Sequence, residues 1–500
     1  MLRILVGSVY FLRLDPVRWA EHQPFPPLGT LYAAGMLRAA GHEVHFFDAM
    51  IADSVAEWSA RVAQVRPDIA VLYDDNFNYL SKMCLSAMRL AALDMIAAAR
   101  STGAKVAICS ADAADHPDLY LDAGASAVIV GEGEATLAEL TAAWRAGVTD
   151  LSAIKGLAWR VEEGTQALTL RTPRREVLRD LDALPTPAWE LVDMAAYRQI
   201  WHQHHGFFAL NLVTSRGCPY SCNWCAKPIW GQGYAVRGAQ PVAEELARLV
   251  HLAAPDYIWF MDDIMGLKPR WWGEFADAIE TLGVKVPFKC LSRADLVLRE
   301  GAVDDLRRAG CDVVWLGAES GSQKILDAMD KDLWTGEIAE ATARLKAAGI
   351  RVGHFLQFGY PGEGMAEIGQ TLAMLRTTRP DEIGISVSYP LPGTVFYDRV
   401  RSQLRDKRHW DVSSDMAMLY RGPYTTAFYR HLHTYVHRDF RLRRTLAHLR
   451  DAVAGRAARG GHLRALAFVA YCGVAIPLSW ARLHLLRLMP NPATARRAAP

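Results

Sequence analysis

The chain has 500 residues, of which 51% are apolar, 22% are charged and only 8 are cysteine, a composition that excludes a disordered chain, a disulfide scaffold and a small stapled domain. At roughly 150 residues per domain there is room for about three units, and a barrel can absorb 200 or more residues by itself. The formal net charge of +2 averages two unlike parts: residues 436–500 hold 12 arginines and no lysine against Asp439 and Asp451, a net +10, whereas residues 1–435 hold 44 basic against 52 acidic side chains, a net −8.

The first apolar run, 4–11 (ILVGSVYF), is short, contains Gly7 and Ser8 and leads into Arg13 and Asp15 with no small-residue cleavage site. It reads as a buried first strand and not as a signal peptide. Strand and helix patterns then alternate: 31–41 a helix, 42–49 (HEVHFFDA) a strand, 54–65 a helix, 68–74 (DIAVLYD) a strand, 106–111 (VAICSA) and 127–134 (AVIVGEGE) two more, and 135–147 a helix. Short apolar strands between amphipathic helices predict a parallel sheet covered on both faces, a doubly wound, Rossmann-like α/β domain over 1–145. Such sheets bind ligands at the carboxyl ends of their strands, so the loops 24–29, 73–78, 110–117 and 131–134 are the ones to watch.

Residues 146–204 carry little periodicity and end in LDALPTPAW, whose two prolines favour an extended linker. Six further strand candidates follow over 205–400: 210–216, 257–263, 288–294, 313–320, 352–360 and 383–390. Each precedes a helix-length segment, which predicts a partial (β/α)6 barrel with function on the loops after the strands. Residues 401–500 read as a helical C-terminal region with an arginine-rich, apolar tail. Within it Trp410, Tyr420, Tyr424, Phe428, Tyr429, His431 and His433 are candidates for substrate contact or for packing a helical cap.

The eight cysteines are scattered except for Cys218, Cys222 and Cys225, which follow the first barrel strand. That is the distribution of reduced thiols plus one metal site, and places the chain in the cytoplasm. A C-x3-C-x2-C loop lets three thiolates converge on one cluster while leaving one iron open. A zinc site completed by His202, His204 or His205, or three unconnected core thiols, are the alternatives. The trio resembles the signature of the radical S-adenosylmethionine superfamily, with Trp224 at the aromatic position before the last cysteine. The resemblance implies a [4Fe-4S] cluster on the three thiols, S-adenosylmethionine chelated at the open iron, and a 5'-deoxyadenosyl radical formed with one electron from a donor such as ferredoxin or flavodoxin. It further implies cofactor contacts at Trp224, at Asp262 and Asp263 closing a strand, at Arg293 and Glu319, and at Tyr360 and Gly362 in FGYPGE. The bland readings are a capped loop, surface ion pairs and an ordinary Pro-Gly turn.

No G-x-G-x-x-G follows the first strand, which disfavours a dinucleotide. Cys84 and Cys109 are too few for the auxiliary cluster of methylthiotransferases, and beyond the barrel there is only Cys472. The first domain is instead similar to that of the cobalamin-binding radical S-adenosylmethionine enzymes, the group of the anaerobic magnesium-protoporphyrin monomethyl ester cyclase and the radical methylases. The matching segments are PPLG (26–29) leading into LYAAGMLRAAGHEVHFFDA, DIAV from Asp68, VGEGE (130–134), LDALPTPAW and YPLPGT (389–394), together covering roughly residues 1–430. This implies cobalamin held at Pro27, Leu28, Gly29, Tyr73, Asp74, Asn76, Ser110, Gly131, Glu132, Gly133 and Glu134. Two departures stand out: no Asp-x-His-x-x-Gly motif flanks His42 or His116, and Ser110-Ala-Asp stands where the family often has Gly-Gly, so Cβ atoms occupy a close approach to the corrin.

The resemblance implies hydrogen abstraction from an unactivated carbon and then methylation, with a cyclase-like oxidative reaction as the alternative. A non-catalytic iron-sulfur or zinc scaffold is the reading of a different class. In the tail, 465–481 carries no formal charge and is bounded by Arg464 and Arg482. With Gly473 and Pro477 inside it reads as a buried or interfacial helix, and 436–500 as a peripheral contact to an anionic membrane suited to a hydrophobic or lipid-like substrate. Nucleic acid is not expected, because the aromatic interleaving of a binding face is missing.

Overall fold

The computed structural model describes residues 1–163, 166–225, 233–454 and 462–489. Its first sheet contains β1 (Arg3–Gly7), β2 (Glu43–Phe47), β3 (Ile69–Tyr73), β4 (Lys105–Cys109), β5 (Ala127–Ile129), β6 (Leu157–Glu163) and β7 (Gln166–Arg171) in the order β2-β1-β3-β4-β5-β6-β7. The first five are parallel, and β3 is buried along its whole length, as a strand with helices on both faces must be. The order 2-1-3-4-5 places the switch of winding direction between β1 and β3, where doubly wound folds open a crevice.

The expected linker is more structured than its sequence suggests. β6 and β7 form an antiparallel hairpin on the edge of β5, so the first sheet runs to Arg171, and the helix Met194–His205 follows. The consecutive buried residues Leu157, Ala158 and Trp159 hide the two-residue alternation by which the strand would have been read.

The second sheet begins with β8 (Ala209–Leu212), after which a small antiparallel pair, β9 (Ser215–Gly217) with β10 (Tyr234–Val236), branches off. The sheet continues with β11 (Tyr257–Phe260), β12 (Phe288–Ser292), β13 (Cys311–Glu319), β14 (Arg351–Phe358) and β15 (Glu382–Val387). Its six strands are all parallel, in the order β15-β14-β13-β12-β11-β8, the half-barrel that the sequence predicts. The C-terminal region is helical at Val395–Val400, Thr426–Val453 and His462–Leu486. The Ala/Arg-rich stretch 450–465 falls partly, and 490–500 wholly, outside the described residues.

Buried polar contacts seat the first domain on the half-barrel. Trp201 Nε1 donates to the Pro24 carbonyl at 2.8 Å and Asn211 Nδ2 to that of Pro26 at 3.0 Å. On another side, Ser413 donates to Asp15 and the Arg89 guanidinium lies 2.7 Å from His409 Nε2.

Candidate active site

The cluster loop starts from β9. Gly217 has φ +76°, a left-handed conformation that costs glycine nothing, and it turns the chain into Cys218. Cys218, Cys222 and Cys225 are all half-buried, and none of the eight cysteines is in a disulfide. Burial, then Asp263 and the Cys222 and Cys218 thiols, push the Cys225 thiol up to about 12. The three thiols thus lie near enough for Cys218 and Cys222 to act on Cys225, a donor set that a cationic metal centre stabilises as thiolates.

Two residues inside and next to the signature fix this loop, and the sequence reading missed both. Asn223 donates to the Ala328 carbonyl at 2.9 Å and to Asp330 at 2.7 Å, accepts from the Tyr360 hydroxyl at 2.7 Å, and bonds the Met329 and Phe396 backbone. Arg216, just before Gly217, is 5% exposed and donates to Glu132 at 2.6 Å and Glu134 at 2.7 Å, with the Tyr32 and Phe77 rings beside it. A signal for each was present: both lie within three residues of a signature cysteine.

The strand ends place the other expected residues as follows. Asp262, after β11, accepts from the Thr214 amide and hydroxyl and from Ser215 Oγ, and its second oxygen has no partner; burial outweighs these bonds and raises it to about 6. Asp263 pairs with Lys82 of the first domain. Arg293 stacks on Tyr220 at 3.6 Å and directs its guanidinium to Asp295 and to the Lys331 and Asp332 carbonyls. Glu319 is held at φ +55° at a register shift between β13 and β14, a strained position of the kind found at functional sites, and pairs with Lys331 at 3.0 Å. Burial works against the Lys331 ammonium, but Glu319 and the Cys222 thiol outweigh it and hold lysine above its usual range. Tyr360 is buried and supports Asn223, Trp224 leaves its indole N–H unpartnered, and Gly362 has φ +90° with open space where a side chain would stand. Thus Glu319 with Lys331, and Asp263 with Lys82, share the space around the cysteines; Arg293 underlies it through Tyr220.

On the first-domain side, Asn76, Ser110 and Gly131 line one small cavity with Lys82, Asp115 and Arg174. It lies at the carboxyl ends of β3, β4 and β5, where this fold binds ligands. It adjoins a larger cavity of about 200 Å³ that shares Lys82, Asp115, Leu391 and Pro392 and is closed by residues 389–409. Tyr73 and Gly133 lie beneath: a Cβ on Gly133 would stand 2.7 Å from Cys109 Sγ and 2.8 Å from the Tyr73 hydroxyl. Gly29 donates to Asp75 at 3.1 Å at the start of the helix Leu28–Ala39, whose N-cap is Pro27. Asp74 is buried and raised to about 7, by desolvation first and the neighbouring Asp75 second. Glu132 and Glu134 give their carboxylates to Arg216, not to the cavity.

The departure at Ser110 has a local explanation. Ser110 Oγ caps the short helix Ala111–Asp115, accepting from the Ala113 amide at 3.0 Å, so only the small side chains of Ser110, Ala111 and Ala114 face the cavity, with Asp115 beside them. Of the two acids of this segment, Asp112 turns to Arg89 and Tyr120, and Asp115 stays at the cavity. Asn76 Oδ1 is buried without a partner. A polar orphan and small side chains at the mouth of a parallel sheet fit a ligand contacted by backbone and amides, as the three neighbouring thiols fit an iron-sulfur cluster. The aromatic residues after 400 mostly pack: Trp410, Tyr420, Phe428 and Tyr429 are each at most 3% exposed, and His431 bonds Ser479.

Comparison with known proteins agrees with both halves. Residues 212–375 match the model of the radical SAM superfamily and residues 22–141 that of the B12 binding domain. The hopanoid C-3 methylase of Methylococcus capsulatus is 25% identical over 424 residues, 82% of this chain and 73% of that protein. The anaerobic magnesium-protoporphyrin IX monomethyl ester cyclase of Cereibacter sphaeroides is 25% identical over 390 residues, 76% of this chain and 61% of that protein. Among solved structures, the radical S-adenosylmethionine methyltransferase TsrM from Kitasatospora setae, with cobalamin and a [4Fe-4S] cluster bound, shares the fold with a TM-score of 0.65 at 18% identity, over 80% of this chain and 78% of that one. The thiol trio thus stands on the parallel half-barrel of a radical SAM domain, and the doubly wound domain that faces it is a B12 binding domain, the pair of domains by which this chain is similar to the radical methylases and the anaerobic cyclase.

Proposed function

We propose that the chain methylates an unactivated carbon of a hydrophobic small molecule, and that the cavity closed by residues 389–409 receives it. The observation that carries this reading is the position of that cavity: it adjoins the space flanked by Asn76, Ser110 and Gly131, and its Lys82 reaches Asp263 beside Cys225. When bound, the cluster and S-adenosylmethionine supply the 5'-deoxyadenosyl radical and cobalamin supplies the methyl group. Cys218, Cys222 and Cys225 would hold the cluster. The Glu319–Lys331 pair offers a carboxylate and an ammonium for the polar groups of S-adenosylmethionine, with Trp224, Asp262, Asp263, Tyr360 and Gly362 around it. Pro27, Leu28, Gly29, Tyr73, Asp74, Asn76, Ser110, Gly131 and Gly133 form the cobalamin side. The chain's own work is positioning and exclusion of water: Asn223 and Arg216 hold the cluster loop, and the buried stretch from Tyr389 to Leu391 closes the chamber.

Met83, Leu391, Leu404 and Leu419 give the cavity wall an apolar part beside the charged side chains of Lys82, Arg89, Asp112, Asp115, Lys407 and Arg408, which supports a substrate with an apolar body and polar groups. Pro219 and Ser221 are exposed on the outer turn of the cluster loop, which supports electron delivery there by a ferredoxin or flavodoxin. Eight thiols without a disulfide fit a reducing compartment, the cytoplasm, with the arginine-rich tail touching a membrane. The cyclase-like reading rests on Tyr389, Leu391 and Pro392 of YPLPGT, which line the same cavity. Anaerobic reconstitution followed by S-adenosylmethionine and reductant tests the enzyme: 5'-deoxyadenosine is expected from the wild type and none from Cys222→Ala. Equal signals, or none from a fully loaded wild type, leave a scaffold. With methylcobalamin and substrate extract, a mass gain of one methyl is expected; oxygen insertion or loss of hydrogens favours the cyclase chemistry.

A further inference from the structure

The helix His462–Leu486 is 25 residues long, with a mean hydropathy of 1.5 in its most apolar window, and only 11% of that window is buried. One side is firmly held. Cys472, Ser479, Leu483 and Leu486 pack inward; the Ser479 hydroxyl and carbonyl each lie 3.0 Å from His431 Nε2, and Trp480 rests on Tyr435. Those partners belong to the helix Thr426–Val453, whose Asp439 is in turn tied to the half-barrel by Arg376. The opposite side is bare. Leu463, Leu466, Val474, Leu478, Leu485 and Leu488 recur at the spacings of one helical face, and they are between 55% and 85% exposed. A stripe of this kind is about 37 Å long at 1.5 Å per residue, far more apolar surface in one line than a solvated helix normally shows.

Its charge says what covers it. From Ala452 to Pro500 there are seven arginines and no acidic residue, and Arg464, Arg482 and Arg487 are exposed along the same element. A second copy of the chain seated on this face would bring arginine against arginine with no acid from the segment to answer it, because a two-fold contact uses the same patch twice. An anionic bilayer answers both features at once: lipid phosphates take the guanidinium forks and the acyl boundary takes the leucines. A span is opposed by the His431 and Tyr435 contacts, which keep the helix lying along the body. We propose that the face running from Leu463 to Leu488 lies flat on an anionic membrane, an inference that rests on the membrane reading above and names the surface. The enzyme would then meet a hydrophobic substrate at the bilayer.

The test is flotation of the full-length, cluster-loaded protein with phosphatidylcholine vesicles, with and without phosphatidylglycerol. The variants are Leu466→Glu/Leu478→Glu on the stripe and Arg464→Gln/Arg482→Gln/Arg487→Gln beside it, each checked for unchanged iron content and circular dichroism. The wild type is expected to float with the anionic vesicles. The stripe variant should lose roughly tenfold or more in partitioning, and the arginine variant should lose the preference for phosphatidylglycerol. A wild type that floats with neither vesicle sinks the membrane reading itself. A stripe variant that floats like the wild type leaves that reading standing and overturns this surface. A concentration-dependent dimer in sedimentation that the stripe substitutions abolish, without flotation, assigns the face to a second copy and overturns the proposal.

Discussion

Arg216 couples the two halves of the active site, and removing its charge should show it. The side chain is buried between Glu132 and Glu134, whose side chains are also no more than 6% exposed. Arg216→Met leaves two carboxylates without their cation in a site that water barely reaches. Truncating one partner of a buried pair typically costs about 3–5 kcal/mol, and at roughly 2–4 °C per kcal/mol for a unit of about 150–250 residues the first transition should fall by on the order of 10 °C. The sign of the pH dependence is a sharper mark. Burial already raises Glu132 above the ordinary glutamate range with Arg216 present; without the guanidinium it rises further. A carboxyl whose folded pKa exceeds the unfolded value stabilises the fold below the unfolded value and loses that contribution as pH rises through the folded one. The deficit of Arg216→Met should therefore be larger at pH 8 than at pH 5.5. Thermal unfolding at both pH values, with Glu132→Gln/Glu134→Gln added to the same background, measures it: the triple variant should recover much of the loss and its pH dependence should flatten. A deficit that is equal at both pH values, or a triple variant no better than the single, refutes the assignment of the loss to an uncompensated charge pair.

Gly133→Ala should cost about 1–3 kcal/mol, because its Cβ would sit 2.7 Å from Cys109 Sγ and 2.8 Å from the Tyr73 hydroxyl; Gly29→Ala, whose closest contact would be 3.2 Å, should be milder, and chemical unfolding of both ranks them. Asp74, raised from 3.8 to about 7 by burial, withdraws its contribution to stability as pH climbs between those values, so Asp74→Asn should flatten the fall in melting temperature from about pH 4 to 7. Asn223→Ala removes side-chain bonds to Ala328, Asp330 and Tyr360, and reconstituted protein should lose iron on gel filtration faster than the wild type while keeping its secondary structure. Lys331→Met strips the buried Glu319 of its ion pair and should weaken S-adenosylmethionine binding, measured by calorimetry on cluster-loaded enzyme.

The parts of this structure that were legible in the sequence are those governed by local pattern. Parallel strands buried on both faces write continuous apolar runs, as in β3 and β5, and the spacing of the three cysteines carries its own chemistry. The hairpin β6–β7 was not legible, because Leu157, Ala158 and Trp159 are all buried and so the strand does not alternate. Arg216, Asn223, Lys82 and Lys331 were missed for another reason. Their partners lie 82, 137, 181 and 12 residues away, and a single sequence does not reveal which charges meet. Glu132 and Glu134 show the converse: the motif that carries them was readable, but a carboxylate in a loop announces neither a ligand nor a partner arginine.

These long-range pairs also explain how two domains with separate sheets can serve one reaction. The loop 131–134 after β5 and the cluster loop are joined directly, through Arg216, and the segment after β3 reaches the barrel strand end through Lys82 and Asp263. Both connections are ion pairs with at least one deeply buried member, so each resists separation once formed and is costly to leave half-made. A hinge between the domains would have to break them, and the polar contacts at Pro24, Pro26, Asp15 and Arg89 as well. Residues 401–425, mostly irregular chain on the outside of the chamber, are pinned as well, by the Leu404–Tyr420 bridge, by Ser413 on Asp15, by His409 beside Arg89 and by Arg430 on Asp415. Leu404, Lys407, Arg408, His409 and Leu419 of that segment line the larger cavity, so substitutions at these positions should reshape its outer wall and leave the ion pairs of the seam behind it intact.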